Sequence, residues 1–411
     1  MMLEKDKINL NDDLEYIIAS TIYFKYLICL TFGYVLNRIG LRNTSLNEIL
    51  FYVLLTVCLI SYIFKKNQRQ VSIKSVKIVF FFIAFFTGSI LYAQIVTPGA
   101  FEIDKTGVSV FELFLYYPIV IALFAKIDNF DRFLVVLGSF ARILSIVLLI
   151  YFWLEYSRAG NSYTSYDMVQ GYQAALCALV LFYNFISQKK LYDIFMFLLT
   201  TVVAFLGGSR GSAIVIVIYL ALFLILKILS MKTDWKKFFL IIAVVCSALI
   251  ISVYYYDILL FLVAKLKGYG INSRTLMTLI DSKTTEESNL IRLSLYQDCI
   301  SRWNDMPIFG YGFMSDRVFL GGYYPHNFFV EVFTQYGFVL GGAFFIWFLL
   351  SSAIQILKTQ KRHVLLIVLS FAFVQLLLSG TYIKMIHFVI LIGLLINTED
   401  VSRNEDGVSE S

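Results

Sequence analysis

Continuous apolar runs, each about twenty residues long, recur from Ile17 to Asn397 and are joined by short polar connections. A run of about that length crosses a ~30 Å hydrocarbon core as an α-helix. The pattern predicts spans near 17–37, 48–64, 77–96, 109–125, 133–153, 170–187, 191–207, 212–230, 238–256, 334–356, 364–380 and 382–397. The short alternating segments of a membrane β-barrel are absent. The expected fold class is therefore an all-α polytopic membrane protein of about 12 transmembrane helices. Lys25 and Arg142 interrupt their spans, and Lys384 sits within the last one.

One connection breaks the rhythm. Residues 257–325 form a large loop with no spanning segment, and loops that long inside a compact protein are usually functional. Apolar positions three and four apart, from Leu290 through Leu293, Leu295 and Tyr296 to Ile300 and Trp303, predict a short amphipathic helix in it. Asn289 suits its N-cap, and Pro307 with Gly310 and Gly312 marks the following turn. The expected organisation is N-terminal transmembrane helices over 1–256, the large external loop over 257–325, C-terminal transmembrane helices over 326–398 and a disordered cytoplasmic tail over 399–411.

Composition supports a lipid environment: 59% of the 411 residues are hydrophobic, only 15% are charged, and mean hydropathy is +0.77. Soluble domains carry about 25% charge. The net charge of +6 would suggest nucleic acid in a soluble protein. Here basic residues gather in alternate short loops, sixteen on one side against five on the other, which favours a cytoplasmic N-terminus. That topology puts the long loop outside. The polar start from Met1 to Glu15 does not read as a cleavable signal peptide. Five cysteines without CxxC spacing read as small membrane hydrophobes.

Three outer segments carry polar groups that lipid-facing helices do not need. Gly207-Gly208-Ser209-Arg210-Gly211-Ser212 joins two spans. Its small residues allow close approach of an anion, and the following helix start adds positive potential. Alternatively it is a tight turn whose arginine snorkels. Arg292 and Arg302 lie in the loop; arginine holds phosphate through a bidentate fork, although a solvated helix face is the ordinary reading. Pro325-His326-Asn327 opens a third segment, with Glu331 and Gln335 four apart on one helix face. At a helix start an imidazole tends to stay neutral and able to accept a proton. His363 and His387 suit structural roles. Phosphate-binding glycine loops, nucleophile elbows and outer acidic pairs are missing from the sequence.

These three segments, in this order and spacing, resemble the O-antigen ligase and Wzy-type O-antigen polymerase superfamily. The residues carrying the resemblance are Gly208-Ser209-Arg210-Gly211, Arg292 through Trp303 to Pro307-Ile308-Phe309-Gly310-Tyr311-Gly312, and His326-Asn327 with Glu331 and Gln335-Tyr336-Gly337. They cover roughly residues 205–345. The resemblance implies a metal-independent glycosyltransferase with no cofactor. It would use an undecaprenyl-diphosphate-linked glycan at the external, periplasmic side of the cytoplasmic (inner) membrane. His326, Arg210 and Arg292 would be catalytic, with Ser209, Gly211, Asn327, Glu331 and Arg302 binding substrate. The expected partners are that lipid-linked glycan and membrane lipid, with a chain-length regulator and a flippase as further candidates, and no nucleic acid. Polymerisation of repeat units into O-antigen, capsule or exopolysaccharide leads. Ligation of glycan to lipid A core is the close alternative, and a lipid-linked oligosaccharide transporter the distant one. Lys25 and Arg142 are the features a transporter explains better.

Overall fold

The computed structural model describes residues 8, 12–38, 44–65, 73–100, 102, 109–159, 168–207, 209–232, 235–271, 273–280, 282–358 and 361–397. The tail expected at 399–411 and Gly208 of the first motif lie outside them. The described elements are helical: α1 Leu14–Tyr23, α2 Lys25–Arg38, α3 Thr44–Lys65, α4 Ile73–Val96, α5 Tyr117–Phe124 with a π-turn at Glu112–Tyr116, α6 Phe130–Ala159, α7 Met168–Gln188, α8 Leu191–Gly207 and α9 Arg210–Ser230. After them come α10 Trp235–Gly268, α11 Arg274–Ile280, α12 Ser282–Ile300, α13 Ser315–Phe319, α14 Phe328–Lys358, α15 Arg362–Leu378 and α16 Ile386–Ile396.

Five of the described helices are long and apolar enough to cross a membrane. A sixth span results if α1 and α2, bent by 73° at Phe24, count as one. The protein is thus a multi-pass helical membrane protein, while the twelve expected spans include helices such as α16 that are short for a bilayer at about 1.5 Å per residue. Two further expectations need correction. The span expected to end at 256 continues in α10 to Gly268. Asn289, expected as an N-cap, lies inside α12, which starts at Ser282; the TTEES stretch ahead of it is polar but helix-compatible, so apolar periodicity alone placed the start too late.

The chain divides into two compact units. One combines Met1–Phe140 with Asn289–Ser411, and the other is Ala141–Ser288. In the first, α16 packs against α5 and α15, and α14 against α15 and α13. In the second, α7 packs against α8 and α9 and is buried along most of its length.

Both interrupting charges have partners. Lys25 Nζ lies 2.9 Å from Glu112 Oε1 and 3.0 Å from the Tyr52 hydroxyl. Arg142 grips both carboxylate oxygens of Asp193 at 2.7 and 2.8 Å and reaches Gln188 at 2.7 Å. A charge inside a membrane protein is tolerated when it pairs internally, so each serves helix packing within its own unit.

Helix α14 is broken at Gly337, whose backbone is left-handed and extended (φ 66°, ψ −174°). A break in an apolar helix strands backbone donors and acceptors that lipid cannot satisfy. The loop 307–312 satisfies them. Tyr311 and Gly312 donate N–H groups to the carbonyls of Thr334 and Gln335 at 3.0 and 2.8 Å. Phe338 and Val339 donate to the carbonyls of Pro307 and Ile308 at 2.7 and 3.3 Å. The Tyr92 hydroxyl and Thr97 of the first unit then fix the loop by donating to Gly310 and Tyr311 carbonyls at 3.1 and 2.9 Å. The backbones meet so closely that a Cβ on Gly337 would stand 2.4 Å from the Ile308 oxygen, and one on Gly310 would stand 2.5 Å from the Gly337 nitrogen.

Gly337→Ala should therefore lower stability, by about 1–3 kcal/mol for the left-handed backbone and more for the clash. Gly342→Ala, in the same helix with open space around its Cβ, is the control and should be tolerated. Thermal unfolding of both purified variants measures this; equal melting points would refute the role given to the break.

Candidate functional site

The break in α14 fixes the frame on which the third motif stands. Asn327 caps α14, its side-chain oxygen accepting the N–H groups of Phe329 and Val330 at 3.0 and 3.3 Å, which is a local reason for asparagine there. His326 immediately precedes it with φ 56°, a left-handed backbone that a histidine adopts at a cost. Among described non-glycine residues, Lys189 and Met314 share this sign. Such strain persists where the surroundings over-determine it. Here the surroundings are Tyr324, whose ring centroid lies 4.2 Å from the imidazole, and the Ser379 carbonyl, 3.4 Å from Nδ1. The Tyr324 hydroxyl donates to the same carbonyl at 3.0 Å.

Burial pushes the His326 pKa below its ordinary value; the Ser379 carbonyl opposes this, and the charges of Arg292 and Arg317 add to the downward push. Burial and the two arginine charges thus favour the neutral form of the imidazole. If Nδ1 carries the proton toward Ser379, Nε2 keeps its lone pair as an acceptor.

Beneath this shelf lies a cluster of ionic groups without solvent exposure. Arg317 contacts Asp316 and Glu331, the latter at 2.7 Å, and donates to the Thr381 hydroxyl at 2.9 Å. Gln335 donates to Asp316 at 2.6 Å and accepts from the Tyr382 hydroxyl. Burial raises the Asp316 pKa, an effect that the neighbouring guanidinium counters. Glu331 and Gln335 thus share a face, and that face meets the Asp316–Arg317 pair. Glu331, expected to bind substrate, is fully buried with Oε1 engaged by Arg317 and Thr381. Sequence reading passed over Asp316 and Arg317 because adjacent opposite charges in a loop normally sit in water. The available signal was Glu331 and Gln335 in an apolar helix, which need buried partners.

The remaining candidates are distributed as follows. Arg292, on α12, is half-buried and close enough to His326 to act on its charge. Arg302 is exposed and lies over the Phe319 ring at 4.4 Å. Ser209, Arg210 and Gly211 belong to the other unit. Ser209 takes the N-cap position of α9 with an extended backbone but makes no side-chain cap hydrogen bond. Arg210 is the first residue of that helix. A Cβ at Gly211 would stand 2.0 Å from the Tyr172 hydroxyl, so a larger residue there would have to displace that side chain.

The first unit also holds an apolar cavity of about 490 Å³, walled by aromatic side chains of α4, α14 and α16, including Phe81, Phe85, Phe344 and Phe388. Tyr336 and Tyr382 line it as well, and Tyr382 ties it to Gln335 of the buried cluster.

Residues 195–346 match the family model described as O-antigen ligase. No curated protein matches the chain, nor does any solved structure. The matched stretch takes in Arg210, Arg292 and His326 and nearly coincides with the residues that carry the resemblance, so over 195–346 this multi-pass membrane protein is similar to the O-antigen ligase family.

Proposed function

We propose that the protein transfers glycan from an undecaprenyl-diphosphate-linked donor to a sugar hydroxyl, and that in doing so it polymerises lipid-linked repeat units into surface polysaccharide. The observation that carries this reading is the imidazole of His326, held in a left-handed backbone with a carbonyl at Nδ1 and lying near the charge of Arg292. The acceptor hydroxyl would give its proton to Nε2 as its oxygen bonds to the anomeric carbon of the donor. The bond from that carbon to the diphosphate breaks, and its electron pair leaves with the diphosphate. Arg292 would stabilise the charge on that leaving group, a part that the family resemblance also gives to Arg210, and the apolar cavity offers room for part of the polyprenyl tail. Arginine charge takes the place a metal ion would have, so turnover is expected to survive a strong chelator.

Counting α1 with α2 as one span and each other apolar helix as one gives twelve, with the N-terminus inside and His326 on the outer face of the cytoplasmic membrane. Reporter fusions at Lys189 should then read cytoplasmic and at Ser282 external; the reverse result at either position would overturn this topology.

The ligase reading is supported equally, because the matched family model is described by that activity. Electrophoresis of surface glycan from a deletion strain separates the two. A single repeat unit on the acceptor indicates a polymerase; free lipid-linked polymer with a bare lipid A core indicates a ligase.

Removing His326 should cost about 10²–10⁴ in rate with donor binding kept. Arg292→Lys should be nearly as damaging as Arg292→Ala, at about 10²–10³, because lysine keeps the charge but loses the fork. Arg302→Ala should be mild. Glycan length in a complemented deletion strain, read against protein abundance, reports all four variants. Full-length glycan from well-expressed His326→Ala would end the base assignment.

The lowered pKa of His326 gives a pH signature as well. A base must be neutral to work, so kcat/KM should hold through neutral pH and fall only as the imidazole protonates, with a midpoint below 6.5. A midpoint above that value would contradict the buried, arginine-flanked setting.

A further inference from the structure

The buried cluster is placed to act on His326, although it does not touch that ring. Arg317 supports both neighbours of the imidazole. Through Nη2 it holds Thr381 at 2.9 Å, two residues beyond the Ser379 carbonyl that faces Nδ1. Its guanidinium also lies over the Tyr324 ring at 5.6 Å, and that ring packs on the imidazole. Arg317 itself is held by two carboxylates on separate elements, Asp316 of α13 and Glu331 of α14. With Nη1 shared by both carboxylates and Nη2 on Thr381 the guanidinium has little freedom, so the turn between α15 and α16 is held against the start of α14 with small tolerance.

We propose that Arg317, with Asp316, Glu331 and Thr381, is a positioning device for His326: it sets the Ser379 carbonyl against Nδ1 and so directs Nε2 at the acceptor hydroxyl. This rests on the base role proposed for His326. The cluster acts through geometry. A carbonyl opposite Nδ1 selects the tautomer protonated there, and the hydrogen bond made by one ring nitrogen of an imidazole commonly sets the role of the other. The arrangement also accounts for an ionic cluster in a place where apolar residues would cost less to bury. Two carboxylates and one guanidinium out of water are weak evidence for stability, whereas a left-handed His326 needs rigid surroundings to stay in place.

Arg317→Ala would leave two buried carboxylates facing each other and threatens the fold, so Thr381→Val is the informative variant. It keeps shape and ion pairs but removes the hydroxyl that links both Arg317 and Glu331 to the turn. Thr381→Ser restores that hydroxyl. Tyr324→Phe is an independent probe, since it removes only the hydroxyl donated to Ser379. The assay uses the purified full chain in lipid, with the lipid-diphosphate-linked oligosaccharide that accumulates in the deletion strain. For Thr381→Val we expect kcat to fall about 10–100-fold through misplacement of the base, with KM for the lipid-linked probe and the melting temperature near wild type. Thr381→Ser should recover most of the rate, and Tyr324→Phe should lower kcat in the same manner. Added to His326→Ala, Thr381→Val should have no further effect, because the group it positions is gone. Wild-type kcat in Thr381→Val, or an undiminished loss in the His326→Ala background, would overturn the proposal. Full activity of His326→Ala alone would instead remove the base reading on which the proposal rests, and the two failures are thereby separable.

Discussion

A helix broken inside a membrane protein must return its stranded amides and carbonyls to some partner, and in α14 that partner is the backbone of residues 307–312. Four hydrogen bonds across the break, two in each direction, replace those lost at Gly337. Much else in the first unit depends on this exchange. It requires glycine at 310 and 337, where the two backbones leave no room for a Cβ. It anchors the loop to α4 through Tyr92 and Thr97. It also presents Glu331 and Gln335, on the segment before the break, to Asp316 and Arg317 on the segment after the loop.

The buried cluster and the imidazole above it form one mechanical system built from short-range contacts. Each element alone would be costly: a left-handed histidine, a desolvated arginine, two desolvated carboxylates. Together they satisfy one another, and the energy stored in the strained residue is held by partners on α13, α14 and the turn before α16. Preorganisation of this kind suits a site that stabilises developing charge, because its dipoles need not reorganise during reaction. The same logic distinguishes it from the charge pairs elsewhere. Lys25 with Glu112 and Arg142 with Asp193 tie helices within one unit.

What the sequence determined by itself was what depends on composition and local spacing. Apolar run length fixed the all-helical membrane class, because lipid admits helices wherever about twenty apolar residues follow one another. The order and spacing of the three polar segments over 205–345 marked the resemblance to the superfamily, and the family match over 195–346 supports it. The Pro307-to-Gly312 turn was legible from its residue types. Tertiary structure decided the rest, since it depends on groups far apart in the chain. No local rule says that the glycines of the turn face Gly337, that Asp316 and Arg317 leave water to meet Glu331, or that a carbonyl at Ser379 stands against His326, fifty-three positions away. Span ends differ from expectation in two ways: Asp257 interrupts the apolar run of α10, which resumes over 258–264 before the helix ends at Gly268, and α12 begins in polar residues at Ser282. Hydropathy reports the cost of contact with lipid, whereas a helix ends where its backbone finds other partners.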